Sequence, residues 1–123
     1  MPPKDPITTS VSFDDGIAVL AVTGEIDLAT IPAFEAAIAE ALAPRPSALI
    51  IDMSEVNFLA SAGLQALVAT HEKVSGTAGF AVVADGPATS RPIELTGLDQ
   101  ILSLHATLTE AKVAVGGDPK AQS

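Results

Sequence analysis

Hydroxyls and carboxylates carry whatever chemistry this chain performs, because it has no cysteine and only two histidines. One serine stands out, Ser61, set in the small-residue cluster Ala60-Ser61-Ala62-Gly63. An apolar run, Leu49-Ile50-Ile51, ends at Asp52, and a short connection leads from there to the cluster. Leu64, Leu67 and Val68 follow at helical spacing. A hydroxyl at a helix start lies among unpaired backbone N–H groups and at the positive end of the helix dipole. A phosphate is well accommodated there, and another protein can reach it. A plainer use is also open: serine is a preferred N-cap residue, and capping alone would account for it. The two uses can coexist.

Other candidate groups are weaker. Asp27 follows an apolar strand pattern and reads either as part of a binding surface or as an acid before a helix, close to a positive dipole. Asp52 reads as a turn-forming acid that hydrogen-bonds local backbone. Glu25 is a solvated loop residue within reach of the same surface. Gly24 frees the chain at a strand end, and Gly63 permits close approach beside Ser61. Met53, Phe58 and Leu59 could supply apolar anchors near Ser61, or could be core residues under the loop, the reading favoured for Phe58.

Enzyme chemistry finds little support. A nucleophile elbow requires glycine two residues before and two after the serine, and Leu59 stands at the first of these places, so the pattern is not supplied. His71 falls on the apolar stripe of Leu64, Leu67 and Val68 and reads as a partly buried core residue, while His105 follows a weak strand. Two separated histidines without cysteine make a poor metal site. No phosphate-binding loop ending in Gly-Lys-Ser/Thr and no dinucleotide fingerprint occurs. No enzyme activity, cofactor or metal is therefore expected. A net charge of -9 with six basic residues excludes a phosphate-binding surface for nucleic acid and an electrostatic hold on anionic membrane. Any charged partner should be basic where it docks.

The elements that position Ser61 can be read from the patterning. The chain is 48% hydrophobic and 17% charged, which describes one globular domain rather than a disordered chain. No apolar stretch approaches the ~20 residues of a membrane span, and Met1-Pro2-Pro3-Lys4-Asp5 lacks a signal peptide's apolar core, so a cytoplasmic location is expected. Ile7 to Phe13 reads as an edge strand, Asp14-Asp15-Gly16 as a hairpin turn, and Ile17 to Gly24 as a strand covered on both faces. A helix follows, with Thr30 as cap, Pro32 in the first turn, Ile31, Phe34, Ile38 and Leu42 on one face, and Pro44-Arg45-Pro46 as its stop. Next come a strand Ala48 to Asp52, a helix from near Ser61 to before Gly76, and a strand Phe80 to Ala84. A short helix Thr89 to Leu95 closes at Gly97, Ile101 to Leu104 forms a weaker strand, and the capping box Thr107-Leu108-Thr109-Glu110 opens a last helix. The fold class is α/β: a mixed, mostly parallel sheet of about five strands with about four helices and an opening β-hairpin. Residues 1–6 and 117–123 read as flexible tails around a domain spanning 7–116. Sites in such sheets form at the C-terminal ends of strands, here Gly24 to Asp27, Asp52 to Ser54, and the loop Ala84 to Pro87.

Five segments in this order and spacing resemble the STAS domain family, in its stand-alone anti-sigma-factor antagonist form. They are Thr23-Gly24-Glu25-Ile26-Asp27, Ile51-Asp52-Met53-Ser54, Phe58-Leu59-Ala60-Ser61-Ala62-Gly63-Leu64, Ile93 to Asp99, and Thr107 to Ala111. The resemblance implies a binding protein that holds an anti-sigma factor, itself a serine kinase, and so frees a sigma factor. Phosphorylation at Ser61 would end the complex, and a serine phosphatase would reset it. It implies a partner-binding surface of Glu25, Asp27, Met53, Ala60, Ser61, Ala62 and Gly63, and a monomer or weak dimer. The alternative is a STAS scaffold or transport-accessory protein in which Ser61 is only a cap. Many family members carry an acid just before the phosphoacceptor; here that residue is Ala60.

Overall fold

Asp15 and Gly16, both at positive φ (53° and 82°), turn the chain tightly enough to pair the strands on either side. β1 (Ile7–Asp14) and β2 (Ile17–Ile26) run antiparallel, with Asp14 opposite Ile17 and Ile7 opposite Gly24. The computed structural model describes residues 7–116, so the expected tails lie outside the described residues. β2 is buried on both faces from Ile17 to Leu20, as its continuous apolar run requires, while Thr23 and Glu25 near its end are exposed. It continues two residues past the expected end at Gly24.

After β2 come α1 (Ile31–Leu42), β3 (Ala48–Leu59), α2 (Ser61–Val74), β4 (Gly79–Val83) and α3 (Ser90–Leu95). A 3-10 turn (Leu98–Gln100), β5 (Leu104–His105) and α4 (Leu108–Gly116) complete the chain. Strands stand side by side in chain order, β1-β2-β3-β4-β5, and every pair after the first is parallel. Each crossover thus advances one strand in the same direction.

Two apolar layers result. Phe34, Ala37, Ile38 and Ala41 of α1, Leu67 of α2 and Ile93 of α3 pack with Leu20, Val22, Leu49, Ile51 and Val82. Ala111, Leu108 and Val115 of α4 cover Ile17, Val19, Ile50, Ala81 and Val83 on the opposite face. The α1 face is narrower than expected, because Ile31 and Leu42 are only half-buried.

The stretch read as a strand from Ile101 to Leu104 pairs only at Leu104 and His105. Gly97, at φ 79°, starts the 3-10 turn, and the N–H groups of Ile101 and Leu102 donate to Leu98 O at 2.9 and 2.7 Å. Their donors are used in the turn and cannot join a ladder. The final capping box is half formed: Glu110 N–H donates to Thr107 Oγ1 at 3.2 Å.

Candidate functional site

β3 delivers the chain to Ser61, and it is longer than its sequence indicated. It does not end at Asp52 but pairs with β2 as far as Leu59, opposite Ile26. Only its β4 partner stops at Asp52, opposite Val83. Ser54, Glu55 and Asn57 are exposed beyond that point, which is why the segment reads as a loop. Asp52 serves local backbone as expected, accepting Ser54 N–H at 3.0 Å, but within a strand rather than after one.

Two irregularities in β3 decide which side chains reach the surface. Asp52 and Glu55 stand opposite Ala21 and Thr23, and Val56 and Phe58 stand opposite Gly24 and Glu25. Each adds one residue to β3, a β-bulge that shifts the in–out alternation. Met53, Val56 and Leu59 consequently all point inward, at 0%, 6% and 5% exposure, while Phe58 turns outward at 49%. Two expectations are corrected. Met53 is a core residue and cannot present its side chain to a partner, and neither can Leu59. Phe58, expected inside, is exposed.

At the strand's end Ala60 N–H donates to Ile26 O at 2.8 Å, which fastens the start of α2 beside the end of β2. Ala60 is the cap residue, extended at φ -83° and ψ 169°, and its carbonyl accepts the N–H groups of Gly63 (2.9 Å) and Leu64 (3.2 Å). Ser61 is the first helical residue and exposed, so it does not occupy the capping position considered for it. An acid at position 60 could accept an N–H of the first turn; alanine cannot, and this helix start has no side-chain cap. Ala62 is half-buried, and Gly63 is buried. A Cβ on Gly63 would lie 2.6 Å from Leu59 Cδ1 and 2.7 Å from Ile26 Cγ2, so glycine is what lets the helix start close against both strands.

Asp27 and Thr30 lock the neighbouring loop. Asp27 Oδ1 accepts Thr30 N–H at 3.0 Å, and Thr30 Oγ1 accepts Asp27 N–H at 2.9 Å. This reciprocal pair has the pattern of a capping box one turn before α1, with Asp27 in the capping role. Thr30, 3% exposed, therefore does not cap with its side chain as expected; its O–H points back to Glu25 O at 2.9 Å. Glu25 itself is exposed, and Asp27 is half-buried. Because Ile26 pairs with Leu59, the Asp27 loop and Ala60-Ser61 are brought together at one end of the sheet.

Two surface features leave little trace in the sequence. Leu28, 79% exposed, projects from the turn after Asp27. Its signal was its isolation, an apolar residue belonging to neither the strand nor the helix pattern. A groove of about 410 Å³ also begins at Ser61 and runs along α2 past Leu64, Val68 and Glu72, with Thr96 and Leu98 on its other side. The third candidate loop is closed on itself by Ser90 Oγ, which donates to Gly86 O at 2.9 Å and accepts Gly86 N–H at 2.8 Å. His71 is half-buried and tilts against Phe80 with ring centroids 6.4 Å apart, and His105 Nε2 lies 2.7 Å from Ser103 Oγ. No described helix is long and apolar enough to cross a membrane.

Known proteins share this architecture. The chain is 49% identical over 117 residues to the anti-sigma-F factor antagonist RsfB of Mycobacterium tuberculosis, covering 95% of this chain and 96% of that protein. The crystal structure of an anti-sigma factor antagonist from Mycobacterium paratuberculosis superposes with a TM-score of 0.87 at 52% identity, over 94% of this chain and 98% of the other. The phosphorylated form of the Bacillus cell fate determinant SpoIIAA shares the fold, with a TM-score of 0.62 at 19% identity over 88% of this chain and 99% of that one. The STAS domain family model matches residues 8–111. With the opening hairpin, the sequential parallel sheet and that match, the chain belongs to the STAS domain family.

Proposed function

We propose that this chain is a cytoplasmic anti-sigma factor antagonist switched at Ser61. Unphosphorylated, it binds an anti-sigma factor that is also a serine kinase, and so frees the sigma factor. Phosphorylation of Ser61 by that kinase ends the complex, and a serine phosphatase restores it. The observation that carries this reading is the exposed Ser61 hydroxyl on the first residue of a 14-residue helix, next to the braced Asp27 loop. RsfB is named as an anti-sigma-F factor antagonist, which supports an antagonist role here.

The chemistry of the switch follows from charge and position. A phosphoserine adds about -1.5 to -2 charges at neutral pH. The start of α2 accommodates an anion without rearrangement, so the added charge acts on the partner rather than on the fold. Glu25, Asp27, Ala60, Ser61 and Ala62 form the proposed contact surface; Gly63 contributes only the close packing beneath it. Placed in that surface, the phosphate would be buried against groups that had docked on an uncharged hydroxyl, and a buried charge without a partner is costly.

The test combines phosphopeptide mass spectrometry with binding. In the presence of the cognate kinase and ATP, a single phosphate is expected at Ser61. Ser61→Ala should bind the anti-sigma factor and remain bound, whereas Ser61→Glu should bind ~100-fold more weakly, a loss of about 2.7 kcal/mol. Equal binding by the two variants would instead favour a constitutive scaffold.

A further inference from the structure

We infer that the outer edge of β1 is a self-association surface, on which a second copy of this chain adds its own β1 antiparallel about a two-fold axis. β1 stands at the end of the strand order, and among the described residues no strand pairs with its far side. Native edge strands are shielded by charged residues, proline or a bulge. Ile7 to Phe13 contains neither a charge nor a proline, and its register against β2 runs without a bulge. Its isoleucine, threonines, valine and phenylalanine all favour strand pairing. In a chain of net charge -9, two copies can meet along this edge without setting like charges side by side. Asp14, the acid that ends the strand, is held by Lys112 Nζ of its own chain at 3.1 Å.

The backbone selects the register. Asp15-Gly16 is a two-residue turn, so the flanking pair of Asp14 and Ile17 exchanges hydrogen bonds, as does every second pair along the hairpin. The main-chain groups of Thr8, Ser10 and Ser12 therefore face β2, and those of Ile7, Thr9, Val11 and Phe13 face outward. A two-fold axis through Ser10 sets Ile7 opposite Phe13 of the second copy and Thr9 opposite its Val11. Every outward residue of both copies is then paired. An axis through Thr9 or Val11 would instead set Phe13 or Ile7 beyond the end of the other strand. Side chains agree with the Ser10 axis. Phe13, 52% exposed, gains an apolar neighbour in Ile7 of the second copy. Above the strands, α1 covers both β1 and β2. It therefore stands about one strand spacing from the axis, and the two copies of α1 come ~10 Å apart, a distance at which helices pack. α1 turns Glu35, Ile38 and Ala39 towards α2, which leaves the exposed Ala33 and Ala36 on the flank facing the axis. Their small side chains permit that approach. α2 lies on the far side of α1, so Ser61 stays open in both copies and the inference stands apart from the proposed switch.

Sedimentation equilibrium on the full chain, over a concentration series reaching millimolar, tests the inference. Wild type should show a monomer–dimer equilibrium and no larger species. Thr9→Pro removes an outward N–H and keeps the bonds to β2, and Ser10→Lys sets two like charges face to face at the axis. Each change occurs twice in a symmetric dimer, so each should weaken dimerisation about tenfold or more. Circular dichroism checks that both variants fold. Ser10→Cys supplies a second readout, because the chain has no cysteine of its own. Opposed positions that do not exchange hydrogen bonds lie ~4.5 Å apart at Cα, within reach of a disulfide. Air oxidation of Ser10→Cys should therefore link two chains. Thr8→Cys, on the same face of β1, would stand ~14 Å from its counterpart and should remain unlinked. A wild type that is monomeric throughout the series overturns the inference. So does a dimer that both charge and proline variants leave unchanged, or equal crosslinking by Ser10→Cys and Thr8→Cys.

Discussion

Gly63→Ala is the most direct test of how the site is built. The added methyl would lie 2.6 Å from Leu59 Cδ1 and 2.7 Å from Ile26 Cγ2. Non-bonded carbons rest ~3.5–4.0 Å apart, so the neighbours or the helix must retreat by about 1 Å. Ile26 is fully buried and β-branched, with little rotamer freedom, and Leu59 is 5% exposed. Neither has open space, and the first turn of α2 has to lift instead. Overpacking of this kind costs about 1–3 kcal/mol, against which alanine's better helix propensity returns at most ~1 kcal/mol. A net destabilisation of about 1–2 kcal/mol follows, or a fall in Tm of roughly 4–10 °C for a domain of this size. Urea unfolding and scanning calorimetry measure it, with an unchanged m-value confirming that compactness is retained. Because Ser61 rides on the displaced turn, its phosphorylation by the cognate kinase should also slow. A Gly63→Ala variant as stable as wild type, or more so, would refute the claim that close packing against Ile26 and Leu59 sets the position of Ser61.

Two further substitutions separate support from contact. Met53→Ala empties a fully buried position and should destabilise by about 2–5 kcal/mol in denaturant unfolding. Its affinity for the anti-sigma factor, measured on folded protein, should match wild type; a selective loss of binding would return Met53 to the partner surface. Thr30→Val keeps the shape but removes the oxygen that accepts Asp27 N–H, leaving that donor without its partner at a cost of about 1–3 kcal/mol. Hydrogen exchange at Asp27 should accelerate with it, and unchanged exchange would refute the bracing role.

Much of the fold was legible because its signals are local. Asp15-Gly16 specifies a tight turn through its backbone preferences, Pro44-Arg45-Pro46 stops a helix, and the continuous apolar run from Ile17 shows a strand covered on both faces. The start of α2 at Ser61 was readable for the same reason, since small residues give way there to helically spaced leucines. Misread positions lie where a neighbour, not the residue itself, sets the outcome. Phe58 and Met53 exchanged roles because two bulges break the period of two along β3, and a bulge is defined by what stands on the adjacent strand. β3 runs past its apparent end because pairing with β4 stops at Asp52 while pairing with β2 continues.

Acidity, the lack of cysteine, the order of strands and helices, and a small-residue cluster around one serine were determined by sequence alone, because composition and local backbone preference need no tertiary context. Tertiary structure decided that Ala60, not Ser61, caps α2, and that Asp27 and Thr30 brace each other beside it. It also decided that Leu28 projects and that a groove opens from Ser61. Each of these depends on where a residue distant in the chain comes to rest: Ile26 against Ala60, Leu98 across from Leu64. Local spacing sets which residues share a helix face, and only packing between elements sets which of those faces remains open to a partner.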